Sequence, residues 1–274
     1  LPGGLGVVTV ASCLMFGGVS GSAIADTAAI GSLVIPAMVQ RGYSRGFAAA
    51  LLAVAGTLAL LMPLSIPFLV YAFISGVSMR QLSMAGVVPA LLAAAALMCV
   101  CMWHGRRTGC DNGDARLSGR EIWAATRDAG PALLMPVIIV GGIWSGVFTP
   151  TESAAVAVVY GVIISLTLYK DITVRDPSRL LVNAFQTSAT VMLVIGATGA
   201  LAWLITVEQV AVQMATWIKF VASEPWMFLL LVNMALLALG IFIEPLPALL
   251  LTAPLLLPLA QTFGIDLVHL GVIM

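Results

Sequence analysis

A short segment with polar residues interrupts the apolar beginning of the chain at Gly18-Val19-Ser20-Gly21-Ser22-Ala23-Ile24-Ala25-Asp26. Uncharged residues 1–25 precede its single carboxylate, Asp26, and uncharged residues 27–40 follow it. We predict two half-length helices that enter the membrane, meet at this tip and turn back. Irregular backbone at membrane depth persists only where protein or a water-filled cavity satisfies its polar groups, so the tip is the first candidate site.

The composition places most of the chain in lipid. Of the 274 residues, 61% are hydrophobic and 9% are charged, and the mean hydropathy is +1.10. Soluble domains carry about 45–50% apolar and about 25% charged residues. Twelve basic residues balance twelve acidic ones, which removes the electrostatic case for nucleic-acid binding. These values exclude a soluble enzyme and a disordered tail. Because the chain starts with Leu1 and ends in an apolar run, we expect it to be part of a longer membrane protein.

A second interruption lies inside the long uncharged run 46–79, at Met62-Pro63-Leu64-Ser65-Ile66-Pro67. Two prolines four residues apart remove backbone donors and clash with the preceding turn. The spacing therefore predicts a discontinuous helix with an unwound middle.

The polar tip has a counterpart near the end of the chain. Sliding the sequence by 222 residues places Gly18–Asp26 over Gly240-Ile241-Phe242-Ile243-Glu244-Pro245-Leu246-Pro247-Ala248, and it also aligns Pro36 with Pro258 and Gly42 with Gly264. We interpret this as an internal repeat of two hairpins.

The basic residues indicate that the two hairpins have opposite orientations, because Lys and Arg in short loops stay on the cytoplasmic side. If the first hairpin opens to the cytoplasm, ten of the twelve basic residues lie inside. These are Arg41, Arg45, Arg106, Arg107, Arg116, Arg120, Arg127, Lys170, Arg175 and Arg179, whereas Arg80 and Lys219 lie outside. Residues 207–224 are predicted to form an amphipathic helix at the outer interface. Inverted repeats with broken helices are typical of secondary transporters, with a site near the bilayer midplane.

The motifs resemble the large membrane subunit of tripartite ATP-independent periplasmic (TRAP) transporters. The resemblance is carried in order by 15–26, Ser65-Ile66-Pro67, 131–139, Gly146-Val147-Phe148-Thr149-Pro150-Thr151-Glu152, Glu244-Pro245 and 254–258. It departs from the family pattern at Pro63-Leu64, where the family has two prolines. The family's scaffold helices before the first hairpin and its second broken helix are expected to lie beyond the ends of this chain.

The resemblance implies an all-α integral membrane fold with two inverted re-entrant hairpins and a discontinuous helix, working as an elevator. It implies sodium-coupled import of a small organic acid, such as a dicarboxylate or a sialic acid, across a bacterial inner membrane. A small membrane subunit and a soluble periplasmic substrate-binding protein are the implied partners. No cofactor is expected besides coupling sodium ions. The alternative is a sodium/carboxylate symporter that needs no binding protein.

We divide the chain into three parts on this basis. Residues 1–79 form the first hairpin and broken helix, 80–224 form connecting and scaffold helices, and 225–274 form the second hairpin. The first and third parts are expected to move together as the transport block.

The first tip offers oxygen ligands for a cation. Ser20, Ser22 and Ser65 are candidate sodium ligands, because hydroxyl and carbonyl oxygens suit hard cations. Ser20 and Ser22 are also candidate substrate ligands, since amides freed at a half-helix start can hold a carboxylate. Asp26 and Gly21 are assigned to cation binding or gating, because an intramembrane carboxylate indicates function by default. The alternatives are that the serines only cap a helix and that Asp26 bonds amides within the hairpin.

The remaining candidates lie at the other helix ends. Ser65 is assigned to substrate binding and Pro63 to cation binding or gating, because the break frees carbonyls and amides together. A simple packing kink is the alternative. Glu244 and Pro245 form the second tip, where a cation-neutralising or gating role and a structural one are both open. Thr149-Pro150-Thr151-Glu152 is typical of a capped turn, while the resemblance implies a substrate or gate role for Glu152.

Two further classes of function fit the residues poorly. A serine nucleophile elbow requires glycine at the last position of G-x-S-x-G, which Ser22 occupies, and no strand precedes it. A purely structural subunit has no use for charged, proline-rich tips. No arginine lies in a predicted span to pair with a substrate carboxylate, so hydroxyls, amides and helix ends, or residues outside this chain, must bind it.

Overall fold

The computed structural model describes residues 3–63, 65–110, 119–170, 176–210, 213–214, 218 and 224–274. Within these ranges the chain is helical and contains no strand. The helices are α1 Gly4–Ser20, α2 Ala23–Gln40, α3 Arg45–Thr57, α4 Ile66–Ser75, α5 Met79–Thr108, α6 Gly119–Trp144, α7 Pro150–Ile164, α8 Asp176–Val207, α9 Pro225–Gly240, α10 Pro245–Thr262 and α11 Leu267–Ile273. A 3₁₀ turn, Leu58–Leu61, follows α3, and a π-helical turn, Ser165–Tyr169, follows α7.

Seven segments in the described residues are helical, long and apolar enough to cross a membrane. One of them, Arg45–Ser75, contains both α3 and α4. The predicted all-α, multi-pass membrane fold is confirmed.

The helices pack into two compact units. The first contains Leu1–Ser65 and Gly86–Ile172, and the second contains Ile66–Ala85 and Thr173–Met274. The boundary falls between Ser65 and Ile66, so the two halves of the predicted broken helix belong to different units. The three-part division 1–79, 80–224 and 225–274 describes movement rather than packing, and it stays a prediction.

The first unit is built on the hairpin of α1 and α2, against which α3 packs. Small residues allow the close approach: a Cβ on Gly31 would meet Leu52 at 2.5 Å, and one on Gly6 would meet Cys101 of α5 at 3.0 Å. Without a hydrophobic force between helices in lipid, such small-residue contacts are the usual basis of association.

A second pair of helices, α6 and α7, packs beside α1 in the same unit. The Tyr160 hydroxyl donates to the Pro131 carbonyl at 2.8 Å, and the buried Ser153 hydroxyl donates to the Ile139 carbonyl at 3.3 Å. Pro131 lies inside α6, so this bond joins the middle of α7 to α6. Val19 of α1 contacts the small apolar core between these two helices.

The second unit is organised around α10, which packs against α4, α8, α9 and α11. Phe228 and Phe263 stack with ring centroids 4.7 Å apart. The Tyr71 hydroxyl of α4 donates to the Leu267 carbonyl at 2.6 Å, and Gly271 of α11 lies directly against the Tyr71 ring. The apolar window of α8 has none of its residues buried within the chain.

The helix boundaries confirm the predicted repeat. Shifted by 222 residues, the bounds of α2 become 245–262, which are the bounds of α10. The same shift carries the start of α3, Arg45, onto Leu267, the start of α11. Both caps before these starts, Ser44 and Asp266, accept backbone N–H bonds. The inverted orientation of the two copies stays a prediction.

The predicted half-length of the hairpin helices is wrong. With 17 and 18 residues, α1 and α2 are about 25 and 27 Å long at about 1.5 Å per residue, close to the roughly 30 Å hydrocarbon core. The reason is that Asp26 does not end a helix. It lies in the first turn of α2, where the helix dipole favours a carboxylate, and the reversal falls at Gly21–Ser22. Most of the predicted interfacial helix over 207–224 lies outside the described residues.

Candidate functional site

The first tip is a tight reversal built by Gly21. Its backbone has φ +60° and ψ 14°, and its N–H donates to the Gly17 carbonyl at 3.1 Å, which ends α1. Glycine adopts this left-handed conformation at no steric cost, which other L-residues do not. The reversal brings the end of α1 and the start of α2 to the same place.

Ser20 and Asp26 meet across this reversal. The Ser20 hydroxyl donates to Oδ1 of Asp26, and the Ser22 N–H donates to the Ser20 oxygen at 3.2 Å. Asp26 is fully buried, with an exposed fraction of 0%. Its second oxygen, Oδ2, is buried and has no hydrogen-bond partner among the described residues. The predicted cluster of Ser20, Ser22 and Asp26 therefore exists, and it holds one unused carboxylate oxygen.

No basic side chain of the first hairpin compensates the charge of the Asp26 carboxylate. Residues 1–40 contain no Lys, Arg or His, so the hairpin itself supplies no basic side chain. A buried carboxylate charge with no opposite charge beside it is costly even when it accepts one hydrogen bond, and it either pairs with a cation or becomes neutral. The last carbonyls of α1 also lack partners within their helix, and they carry the negative end of its dipole. The tip is therefore suited to a small, hard cation.

Ser22 has the capping role that was the structural alternative. It is the N-cap of α2, and its hydroxyl accepts the Ala25 N–H at 3.4 Å. This bond is long, and the oxygen keeps further lone pairs, so capping leaves the hydroxyl able to contact a ligand.

The segment that follows α3 lies directly against this tip. A Cβ on Gly17 would come within 2.5 Å of the Ala59 Cα, and one on Gly18 would meet Met62 Cε at 3.3 Å. On the next helix, a Cβ on Gly56 would collide with the Thr27 hydroxyl of α2. The 3₁₀ turn after α3 is thereby held against the end of α1.

The predicted interruption at Pro63 to Pro67 is confirmed. Regular α-helix ends at Thr57 and resumes at Ile66. Pro63 and Ser65 are buried in the break, and the Ser65 N–H donates to the Met62 carbonyl at 3.0 Å. Both residues lie in the same unit as the first tip. Their roles in binding and gating stay predictions.

Glu152 is engaged in a helix cap. Its Oε2 accepts the Thr149 N–H at 2.8 Å and the Thr149 hydroxyl at 2.9 Å, while the Glu152 N–H donates to the Thr149 hydroxyl at 3.3 Å. This reciprocal capping box, with Pro150 at the first helical position, confirms the predicted capped turn. Its carboxylate is exposed, so the implied substrate or gate role stays a prediction.

The second tip has different chemistry from the first. Glu244 is the exposed N-cap of α10 and makes no side-chain capping bond, and Pro245 occupies the first turn. The preceding Ile241 and Phe242 are 78% and 86% exposed within the chain. Both candidates belong to the second unit, and their role stays a prediction.

Sequence reasoning missed the residues that support the first tip. Gly17 packs against the backbone of Ala59, and Gly56 of α3 packs against Thr27 of α2. The available signal was the occurrence of small residues at helix contacts, but it does not say which partner each glycine meets.

An open groove lies beside the tip, between α1 and α6. It has a volume of about 340 Å³ and is lined by Ser12, Met15, Phe16, Val19, Ala132, Leu133, Met135 and Pro136. Its lining is almost wholly apolar, so it offers little to bind an organic acid by itself.

The comparisons with known proteins agree with these features. The family described as "Tripartite ATP-independent periplasmic transporter, DctM component" matches residues 1–274. The chain is 41% identical over 272 residues to the "C4-dicarboxylate TRAP transporter large permease protein DctM" of Pseudomonas aeruginosa. It is 37% identical over 276 residues to the "Sialic acid TRAP transporter large permease protein SiaM" of Vibrio cholerae. It is 34% identical over 271 residues to the "2,3-diketo-L-gulonate TRAP transporter large permease protein YiaN" of Escherichia coli. Each alignment covers 99% of this chain and 64% of the relative.

Proposed function

Because the chain belongs to the family of DctM components of tripartite ATP-independent periplasmic transporters, we propose that it forms part of a sodium-coupled importer of small organic acids. The family consists of transporter components rather than enzymes. In this proposal the importer lies in a bacterial inner membrane. A soluble periplasmic binding protein delivers the substrate, and a small membrane subunit completes the transporter.

The observation that supports cation coupling is the unused, buried Oδ2 of Asp26 beside the end of α1. A sodium ion at this place would neutralise the carboxylate. The Ser20 hydroxyl oxygen and carbonyl oxygens of the last turn of α1 would be its further ligands. Such ligands are the ones hard cations prefer. The alternative coupling ion is a proton bound by Asp26.

Ion and substrate are coupled if the ion orders the tip on which the substrate binds. Ser22 and the first N–H groups of α2 form the positive end of that helix, which suits a carboxylate. Without the ion, the charge on Asp26 repels an anionic substrate placed nearby. Neutralising Asp26 therefore raises the affinity for the substrate, which is the differential interaction that coupling requires.

The proposed substrate class rests on the relatives. Their names refer to C4-dicarboxylates, sialic acid and 2,3-diketo-L-gulonate, and each of these is a small carboxylate. The proposed transport movement is an elevator, in which the block that carries the hairpins slides against the remaining helices.

The test is uptake of labelled carboxylates into proteoliposomes that contain the complete transporter, with and without a sodium gradient and the binding protein. Asp26→Asn keeps the shape of the side chain and removes its charge. At about 4 Å and an effective dielectric constant of about 20, an ion pair is worth about 4 kcal/mol. Even after partial relaxation, we expect the half-saturating sodium concentration to rise at least about tenfold.

Ser20→Ala should also raise the half-saturating sodium concentration, because the ion then loses the Ser20 oxygen as a ligand. Ser32→Ala is the matched control: Ser32 lies on an exposed part of α2, and its hydroxyl donates to the Ala29 carbonyl within its own helix. An unchanged sodium response in Asp26→Asn would contradict the proposed ion site. Uptake driven by a pH gradient and indifferent to sodium would assign the proton instead. Uptake that needs sodium but not the binding protein would favour the simple symporter.

A further inference from the structure

Basic and aromatic side chains meet at the end of the first unit where the α2–α3 turn packs beside the end of α5. We call this region the basic-aromatic end. It consists of Arg41, Tyr43, Arg45, Phe47, Trp103, His104, Arg106 and Arg107.

A stack of rings holds the two parts of this end together. The Phe47 and His104 rings are parallel within 5°, with centroids 3.7 Å apart. Tyr43 stacks on the same group, at 6.0 Å from Phe47 and 6.4 Å from His104. The Cys110 thiol donates to the Gly42 carbonyl at 2.9 Å. The turn and the helix end therefore form one fixed surface rather than two independent loops.

The turn and the two helix ends that form this surface carry basic side chains and no acidic ones. Arg41, Arg45, Arg106 and Arg107 are all exposed. Between Asp26 and Asp111 the sequence contains no Asp or Glu, so neither α3 nor α5 carries an acidic residue. Asp111 itself lies outside the described residues.

An exposed tryptophan lies between the arginines at the end of α5 and the apolar part of that helix. Trp103 is 61% exposed, and the Arg107 guanidinium lies 5.2 Å from its ring centroid. Val100, three residues earlier and 48% exposed, lies on the same face of α5. Tryptophan is enriched where a membrane helix crosses the headgroup layer. This face of α5 thus passes from apolar to aromatic to basic within two turns.

We propose that the basic-aromatic end binds the phosphate headgroup of an anionic phospholipid of the phosphatidylglycerol class. Arg45, Arg106 and Arg107 contact the phosphate, since guanidinium groups bind phosphate with paired hydrogen bonds. The acyl chains lie along Trp103 and Val100. This apolar continuation distinguishes a lipid from a free phosphate ion. The binding is independent of the proposed transport function, since it uses none of the residues of the first tip.

The test uses the complete, delipidated transporter in detergent, titrated with phosphatidylglycerol brominated in its acyl chains. Bromine quenches nearby tryptophan fluorescence, and the difference between the wild type and Trp103→Phe isolates the signal of Trp103. Each arginine near an anionic lipid surface contributes a factor of about five in affinity. The double variant Arg106→Gln/Arg107→Gln should therefore bind about 30-fold more weakly.

Arg80→Gln is the matched control, because Arg80 lies at the other end of α5, and it should leave the affinity unchanged. Arg45→Gln provides a second test, with an affinity about fivefold lower, in case the double variant fails to fold. The melting temperature of each variant without lipid reports folding.

Three results would overturn the proposal. In the first, the arginine variants bind brominated phosphatidylglycerol as tightly as the wild type. In the second, brominated phosphatidylcholine quenches Trp103 equally well, which would indicate an unspecific lipid contact. In the third, inorganic phosphate at equal concentration displaces the lipid, which would indicate a free anion as the ligand.

Discussion

Replacing Gly17 by alanine is expected to force the end of α1 away from the 3₁₀ turn after α3. The new Cβ would lie 2.5 Å from the Ala59 Cα, 2.8 Å from its Cβ and 3.2 Å from its nitrogen. Carbon atoms in contact are separated by about 3.5–4.0 Å, so the two backbones must move apart by roughly 1 Å or more. Backbone atoms cannot rotate out of the way as a side chain can.

The net cost follows from two opposing effects. Overpacking a close contact costs about 1–3 kcal/mol, and the upper end applies because the neighbour is backbone. Alanine in place of glycine within a helix recovers about 1 kcal/mol. The expected loss is about 2 kcal/mol, which corresponds to a melting temperature about 4–8 °C lower for a chain of this size. The adjacent Gly18→Ala is the control, because its Cβ meets only the flexible Met62 side chain at 3.3 Å, and it should be neutral or slightly stabilising.

The assay is thermal unfolding of both variants in detergent, with and without sodium, followed by sodium titration of uptake. Because the Gly17 carbonyl accepts the Gly21 N–H at 3.1 Å, displacing Gly17 also distorts the tip. Gly17→Ala should therefore weaken the response to sodium, and Gly18→Ala should not. The reasoning is refuted if Gly17→Ala melts at the wild-type temperature or above and responds normally to sodium.

Three further changes test separate features. Gly21→Ala, at φ +60°, should cost about 1–2 kcal/mol of stability in thermal unfolding, whereas Gly21→Asn should cost less because asparagine tolerates the left-handed region. Glu152→Gln preserves the N3 acceptor for Thr149, so normal uptake would restrict Glu152 to capping, while reduced uptake at unchanged stability would demonstrate a use of its charge. Tyr71→Phe removes the 2.6 Å bond to the Leu267 carbonyl and should lower stability by about 1 kcal/mol, with sodium affinity unchanged; equal stability would show that the bond contributes nothing net.

The predictable parts of the fold are those set by residues that interrupt or end a helix locally. Proline, glycine and isolated carboxylates affect the backbone only within a few residues. The break at Pro63 to Pro67 and the hairpin tips could therefore be located from the sequence. The 222-residue repeat was visible for the same reason, since proline and glycine positions repeat with it. Helix lengths were not predictable in the same way, because runs of uncharged residues do not coincide with helices, and Asp26 lies inside the first turn of α2.

Packing between distant segments was not predictable. Almost every residue near the first tip is apolar, and hydropathy does not distinguish Ala59 from any other residue that could face Gly17. The stack of Phe47 on His104 depends likewise on how α5 lies beside α3. The bond between Ser20 and Asp26 depends on the reversal at Gly21, and the sequence spacing alone does not show which carboxylate oxygen remains unused.

The two copies of the repeat have the same helix bounds but different side chains at their tips. The bounds of α2 and α10 lie 222 residues apart. However, α2 starts with a hydroxyl cap and a buried carboxylate, whereas α10 starts with an exposed glutamate and a proline. Either solution begins a helix, because a side-chain cap and a proline at the first position both accommodate the unpaired N–H groups. Helix initiation therefore cannot explain why the first copy buries Asp26 at a cost that the second copy avoids. A bound cation or a bound proton would offset that cost, and this contrast is the reason why the proposed ion site lies at the first tip rather than at the second.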